Sequence, residues 1–238
     1  MKIKTIATGS EGNGYLLKRE GLFLLLEAGA PLNRVRQLSD YNLDRITACL
    51  ISHEHRDHCR YYKEYLDRDI DIYASQGTAE ALGDKRIKII KSAPDGHFAG
   101  AFNFTSFSLN HDAADPVGFF ITYSENKSLL YATDTGYIEQ VPRGLSILMI
   151  ECNYTRKRIK NNMHDKDLGM SVPQKMRVHE HHLGLEDVML YLERIDTSHL
   201  EEIHLIHLSS RNSEPEMMVR KIQNLTGCPT YIAGEGGE

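Results

Sequence analysis

Three imidazoles and the Asp57 carboxylate fall within six consecutive positions of Ser52-His53-Glu54-His55-Arg56-Asp57-His58. Neutral imidazole and carboxylate are the donors that zinc and its first-row neighbours favour, and a catalytic site built from them must leave a position for water. Because the stretch follows the apolar run Ile46–Ile51, it reads as the turn at the end of a strand. In an extended turn His53 and His55, two apart, point the same way, whereas a helix would splay them. Asp57 and His58 then enter the next helix and can face a second metal. The turn therefore reads as half of two adjacent metal sites in a hydrolase.

The remaining donors must arrive from other strand ends. Leu22–Leu26 is a continuous apolar strand ending in Glu27-Ala28-Gly29, and Glu27 reads either as a group holding a ligand histidine from behind or as a solvated strand end. The alternation from Phe102 to Leu109 delivers His111, Ser128–Ala132 delivers Asp134, Leu145–Ile150 delivers Glu151, and Glu202–Ile206 delivers His207. Asp134 suits a bridging role, since its two oxygens can neutralise part of two cations. Helices are expected from Pro31 to Leu38, Tyr61 to Leu66, Ser75 to Leu82, Leu185 to Ile195 and Glu214 to Leu225. The glycines of Thr8–Gly14 read either as a turn bordering the site or as an ordinary hairpin loop; the lysine and hydroxyl of a phosphate-binding loop are missing. Thr155–Arg177, rich in Lys and Arg, reads as a solvated, mobile loop. Strands and helices alternate without a dividing linker, which predicts one α/β domain over residues 1–238.

Composition narrows the function classes. A formal net charge of −5 argues against a protein coated in positive charge. No apolar run approaches the ~18 residues of a membrane span, and Met1-Lys2-Ile3-Lys4 lacks a secretory core, so the chain is expected to be soluble, free of the membrane and unexported. The four cysteines, Cys49, Cys59, Cys152 and Cys228, form no CxxC pair, which suits a cytoplasmic protein with buried thiols. Oligomeric state is not legible here.

The HxHxDH turn followed by His111, Asp134 and His207 at strand ends resembles the metallo-β-lactamase superfamily along essentially the whole chain. Within it, Gly9-Ser10-Glu11-Gly12-Asn13, His111-Asp112-Ala113-Ala114, Pro116-Val117-Gly118 and His207-Leu208-Ser209 with Asn212 resemble the small YycJ/WalJ-like proteins of bacteria and phages. The resemblance implies a four-layer αββα sandwich with a dinuclear site. His53, His55 and His111 would hold one ion, Asp57, His58 and His207 the other, and Asp134 would bridge. The two divalent ions would be zinc or manganese, with iron also known on such sites. Glu27 departs from the family pattern, which usually has Asp in an Asp-Ala-Gly turn.

Two metals ~3.5–4 Å apart suit phosphoester hydrolysis, but an alkoxide leaves poorly without a proton, so a phosphodiesterase needs a general acid beside them. Glu151 and His182 resemble the glutamate and histidine of the ribonuclease Z branch; His181 and His179 are alternative imidazoles. Asp57, Glu151 and His182 are the candidate catalytic groups. Lys175 and Arg177, part of a Pro-Lys-Arg pattern shared with the YycJ-like proteins, and Arg211 are candidate phosphate-binding groups. The expected activity is a metal-dependent phosphodiesterase or nuclease with single-stranded nucleic acid as substrate; the alternative is hydrolysis of a small ester, thioester or cyclic nucleotide.

Overall fold

In the computed structural model the chain is described over residues 1–90, 96–162 and 172–234, with backbone alone at 162 and 172–176. It divides into two compact units: Met1–Ser108, Ala113–Lys127 and Gly234–Glu238 form the first, Leu109–Asp112 and Ser128–Ala233 the second.

The first unit carries a six-stranded sheet whose spatial order is the chain order: β1 (Lys2–Ala7), β2 (Gly14–Arg19), β3 (Leu22–Leu26), β4 (Ile46–Leu50), β5 (Ile72–Ala74) and β6 (Lys88–Ile89). Short turns make β1 to β3 an antiparallel meander, while β3 to β6 run parallel. Parallel neighbours need crossovers. These contain α1 (Leu32–Leu38), then α2 (Arg56–Cys59) and α3 (Tyr62–Leu66), then α4 (Gln76–Leu82). Ser75 caps α4 by accepting the Thr78 N–H, and Gly83 ends it in the left-handed region. Leu16, Leu25, Ile51, Tyr65 and Ile72 belong to the core that this sheet and its helices bury. Leu26 pairs with Leu50, so Glu27 and the histidine turn emerge at one edge of the sheet. The same unit holds the antiparallel strands β7 (His97–Ala99), β8 (Phe102–Ser108) and β9 (Val117–Ser124); β7 was not expected from the sequence.

The second unit is built on the parallel strands β10 (Lys127–Ala132), β11 (Ile147–Glu151), β12 (Glu202–Ile206) and β13 (Thr230–Ile232), again in chain order. Leu129–Ala132 and Ile147–Ile150 are buried throughout, as strands covered on both faces require. Ala132 pairs with Ile150 and Glu151 with Ile206, which brings Asp134, Glu151 and His207 out at the carboxyl ends of adjacent strands. Helices α5 (Arg156–Asn162), α6 (Val172–His181) and α7 (Leu185–Arg194) lie between β11 and β12, and α8 (Pro215–Thr226) between β12 and β13.

The basic stretch Thr155–Arg177 is thus helical at both ends rather than a loop. Lys and Arg are good helix formers, Thr155 Oγ1 caps α5 by accepting the Arg158 N–H at 3.2 Å, and Ile159 anchors the helix with 3% exposure. Its middle, residues 163–171, lies outside the described residues.

Candidate metal and proton-transfer site

In the first unit three loops are laced together by their backbones. Asn13 N–H donates to Asp57 O (2.7 Å), Gly29 N–H to Asn13 O (2.9 Å) and Ala28 N–H to His58 O (2.7 Å). A Cβ on Gly29 would stand 1.7 Å from the Asp57 carbonyl, so only glycine permits this approach. The lacing turns the glycine-rich segment into a border of the histidine turn. The Asn13 amide donates to Asp57 Oδ2 at 3.2 Å and to His58 Nε2 at 3.1 Å.

Glu27, fully buried, reaches the same turn from the other side. Its Oε2 accepts the Ser52 N–H at 3.1 Å and its Oε1 lies 3.5 Å from His58 Nδ1. Ser52 Oγ meets His53 Nδ1 at 2.9 Å, and the His53 ring lies 4.7 Å from that of His55 and 4.2 Å from that of His58. His58 Nε2 and Asp57 Oδ2 are 3.2 Å apart. Two ligands of one tetrahedral zinc stand roughly 3.3 Å apart, so this pair fits a shared cation.

In the second unit the fully buried Glu151 gathers four hydrogen bonds. Its Oε1 meets His182 Nδ1 at 2.6 Å and His207 Nδ1 at 2.8 Å, while Oε2 accepts the N–H groups of Thr135 (3.1 Å) and Leu183 (3.2 Å). His111 Nδ1 donates to the His181 carbonyl at 3.2 Å. A carbonyl only accepts, so the proton of His111 sits on Nδ1 and Nε2 keeps its lone pair. Fixing one ring nitrogen to a carboxylate, hydroxyl or carbonyl and leaving Nε2 as donor is how metal-ligating histidines are commonly held. His53, His111 and His207 each carry a polar neighbour on the Nδ1 side, whereas His58 has Glu27 there at 3.5 Å and meets the Asn13 amide through Nε2. Ligand atoms of Asp134, Glu151, His182 and His207 lie within 4.8 Å of one another, as do those of His111, Asp112 and His181. The donor set suits a metal ion.

Backbone strain marks the same strand ends. Glu27 (φ 66°), Asp134 (φ 43°) and His207 (φ 52°) all occupy the left-handed region that non-glycine residues rarely enter. Such strain persists where surrounding structure dictates it, and it collects at functional sites.

The charges follow from these contacts. Burial would press the His182 imidazole down, but the Glu151 charge and hydrogen bond outweigh it and hold the group above its ordinary value. For Glu151 burial works upward, yet His182 and the hydrogen bonds from His182 and His207 keep the carboxyl below its usual range. His111 is lowered, mainly by burial. A fixed carboxylate therefore holds an imidazole near its charged form, as a proton donor requires.

Residues 25–207 match the family model described as the Beta-lactamase superfamily domain. The chain belongs to the β-lactamase superfamily. It is 25% identical over 252 residues to the exodeoxyribonuclease YycJ of Bacillus anthracis, spanning 100% of this chain and 94% of that relative. To the exodeoxyribonuclease WalJ of Streptococcus pneumoniae serotype 2 (strain D39) it is 26% identical over 232 residues, 91% of this chain and 84% of WalJ. The crystal structure of the metallo-β-lactamase-fold protein YhfI from Bacillus subtilis superposes with a TM-score of 0.71 at 17% identity, over 99% of this chain and 97% of that one. The α/β fold expected from the sequence is therefore the metallo-β-lactamase fold, and the protein is a metal-dependent hydrolase of this superfamily.

Among the superfamily-pattern residues, His53, His58, Asp134, Glu151 and His207 are buried and His55, Asp57, His111 and His182 are partly exposed. Of the three neighbouring imidazoles, His182 is the one on Glu151; His179 instead meets the Tyr154 hydroxyl at 2.9 Å, and His181 lends its carbonyl to His111. Arg177 is exposed and ion-pairs with Asp112 at 2.5 Å, while Arg211 is exposed on the turn after β12. Lys175 lies on α6, with its side chain outside the described residues. Sequence reasoning missed Asn13, Ser52 and Asp112 as partners of the ligand candidates. A side-chain amide inside a glycine-rich turn was the available signal for Asn13; nothing local marked the other two.

Among the described residues no helix is long and apolar enough to cross a membrane.

Proposed function

We propose that the protein is a nuclease: a phosphodiesterase that hydrolyses single-stranded nucleic acid in the cytoplasm, with residues 1–238 acting as one hydrolase domain. The observation that carries the reading is the Glu151 carboxylate shared by His182 and His207, at 2.6 and 2.8 Å. A nuclease must protonate an alkoxide leaving group, and a raised imidazole beside ligand candidates meets that need. The names of the YycJ and WalJ relatives point the same way. All four cysteines are free and buried, which suits a reducing compartment.

In this reading His53, His55 and His111 would hold one divalent ion and Asp57, His58 and His207 the second, with the Asp134 carboxylate shared between them. Imidazole and carboxylate donors suit zinc, manganese or iron. Bound metal supplies Lewis acidity, making a water acidic enough to attack at neutral pH and offsetting charge on the phosphoryl oxygens. His182, steadied through Nδ1 by Glu151, donates its Nε2 proton to the departing oxygen. Glu27 and Asn13 keep His58 and Asp57 aimed. Lys175, Arg177 and Arg211 meet backbone phosphates, and for Arg177 a phosphate competes with Asp112.

The test is a panel of single- and double-stranded DNA and RNA, labelled at either end, with protein reconstituted in zinc, manganese or iron. Degradation of single strands supports the reading. Intact oligonucleotides alongside turnover of a thioester, a small ester or a cyclic nucleotide would replace it with a small-molecule hydrolase.

A further inference from the structure

In the first unit, helix α1 and the corner that follows it line an open cavity of about 620 Å³, within the range of small-ligand sites. Its lining includes Asn33, Arg36, Tyr41, Asn42, Asp44 and Arg68. The cavity runs from Leu32 to the corner that leads into the amino end of β4, whereas the histidine turn follows the carboxyl end of that strand.

Three features single it out. First, Asp40 (φ 56°) and Tyr41 (φ 61°) are consecutive non-glycine residues in the left-handed region, where a bulky tyrosine is rarely found. The corner is pinned by the Tyr41 N–H and the Ser39 hydroxyl, which both donate to the Arg36 carbonyl, at 2.9 and 3.2 Å. This strained corner adds no aromatic to the core, since Tyr41 stays 68% exposed. Second, the Arg36 guanidinium lies 5.9 Å from the Tyr41 ring centroid, and neither Arg36 nor Arg68 makes an ion pair among the described residues. Third, Asp40 on the same wall is neutralised by Lys18 at 2.9 Å, so the two arginines face a single uncompensated carboxylate, Asp44. Planar guanidinium forks match phosphate oxygens, an exposed aromatic face takes an unpaired base, and the amides of Asn33 and Asn42 offer both donors and acceptors to base edges.

We propose that this cavity binds one nucleoside-phosphate unit, with the phosphate between Arg36 and Arg68 and the base stacked on Tyr41. The proposal deepens the nuclease reading and rests on it: the unit belongs to the single-stranded substrate, held at a point separate from the metal ligands. A base paired in a duplex cannot present its face to Tyr41, so the site selects single strands.

The test is equilibrium binding of fluorescein-labelled dT12 to the full chain in EDTA, as a function of salt. Wild type is compared with Tyr41→Ala, Arg36→Ala/Arg68→Ala and the conservative Arg36→Lys/Arg68→Lys; all three residues are exposed, and circular dichroism checks the fold. The Tyr41→Ala variant should weaken dT12 binding by roughly five- to tenfold and leave a 12-base-pair duplex unaffected. The double alanine variant should lower the slope of log affinity against log salt by about 0.7 for each phosphate no longer neutralised, and the lysine variant should restore the slope. A wild type that cleaves dT12 with metal while the variants bind it unchanged in EDTA overturns the cavity site and leaves the nuclease reading standing. Equal losses on duplex and single strand overturn the stacking role. A wild type that neither binds nor cleaves oligonucleotides, yet binds thymidine 5′-monophosphate with shifts abolished in Tyr41→Ala, keeps the cavity as a free-nucleotide site and removes the nuclease reading instead.

Discussion

Among the described residues each unit buries one glutamate completely, and the two are employed differently. Glu27 offers one oxygen to the Ser52 N–H and sets the other 3.5 Å from His58 Nδ1. Glu151 collects two imidazoles on one oxygen and two backbone N–H groups on the other. A buried carboxylate is costly unless satisfied. In Glu27 the satisfaction steadies a turn, whereas in Glu151 it couples a ligand candidate to a titrating group. On the proposed reading, the contrast separates a residue that would shape a metal site from one that would govern protons.

Replacing each glutamate by its amide should expose the difference. In Glu151→Gln one end of the side chain becomes a donor, which must face either two imidazole N–H groups or two backbone N–H groups. Turnover of oligonucleotides should fall roughly a hundredfold or more. The pH profile should move as well. In the proposed reading His182 must be protonated to act, and the Glu151 charge holds the imidazole above its ordinary value against the opposing effect of burial. Activity is therefore kept below that raised value and lost as pH rises through it. Removing the charge lowers the value, so the alkaline limb should shift to lower pH. A limb that stays in place would mean that His182 is not the titrating acid.

Glu27→Gln should act on metal instead. Weakened support for His58 should lower metal affinity by about 10–100-fold, read by competition with a chelator, while the alkaline limb at saturating metal stays put. A moved limb would erase the distinction between the two glutamates.

Much of this contrast was invisible in the sequence. The histidine turn was legible because its donors are consecutive, and the strand ends were legible because apolar runs stop at Asp134, Glu151 and His207. The double use of Glu151 was not, since its partners lie 31 and 56 positions away and depend on the register of β10, β11 and β12. The helices α5 and α6 were hidden by charge: a stretch dense in Lys and Arg reads as solvated, yet one buried residue, Ile159, and a threonine cap suffice to anchor α5. Asn13 stood within a turn whose glycines drew attention to backbone shape rather than to the amide between them.

Smaller effects sharpen the comparison within each unit. A Cβ at Gly184 would meet the Tyr154 ring at 2.6 and 2.8 Å, so Gly184→Ala should displace the His182–Leu183 segment and cost about 1–3 kcal/mol in thermal unfolding, with turnover reduced and metal content unchanged. Asn13→Ala removes donors to Asp57 and His58 and should cost about 1 kcal/mol, seen as slightly weaker metal binding and an unshifted pH profile.

The central claim is that His182, held by Glu151, delivers the proton to the leaving group. The most direct measurement is the turnover of His182→Ala on two phosphodiesters at equal metal loading. An oligonucleotide releases an alkoxide that needs the proton, whereas bis(p-nitrophenyl) phosphate releases a stable phenolate that does not. Oligonucleotide cleavage should fall by roughly 10²–10⁴-fold while hydrolysis of the activated diester stays within a few-fold of wild type. Equal losses on both substrates would contradict the account.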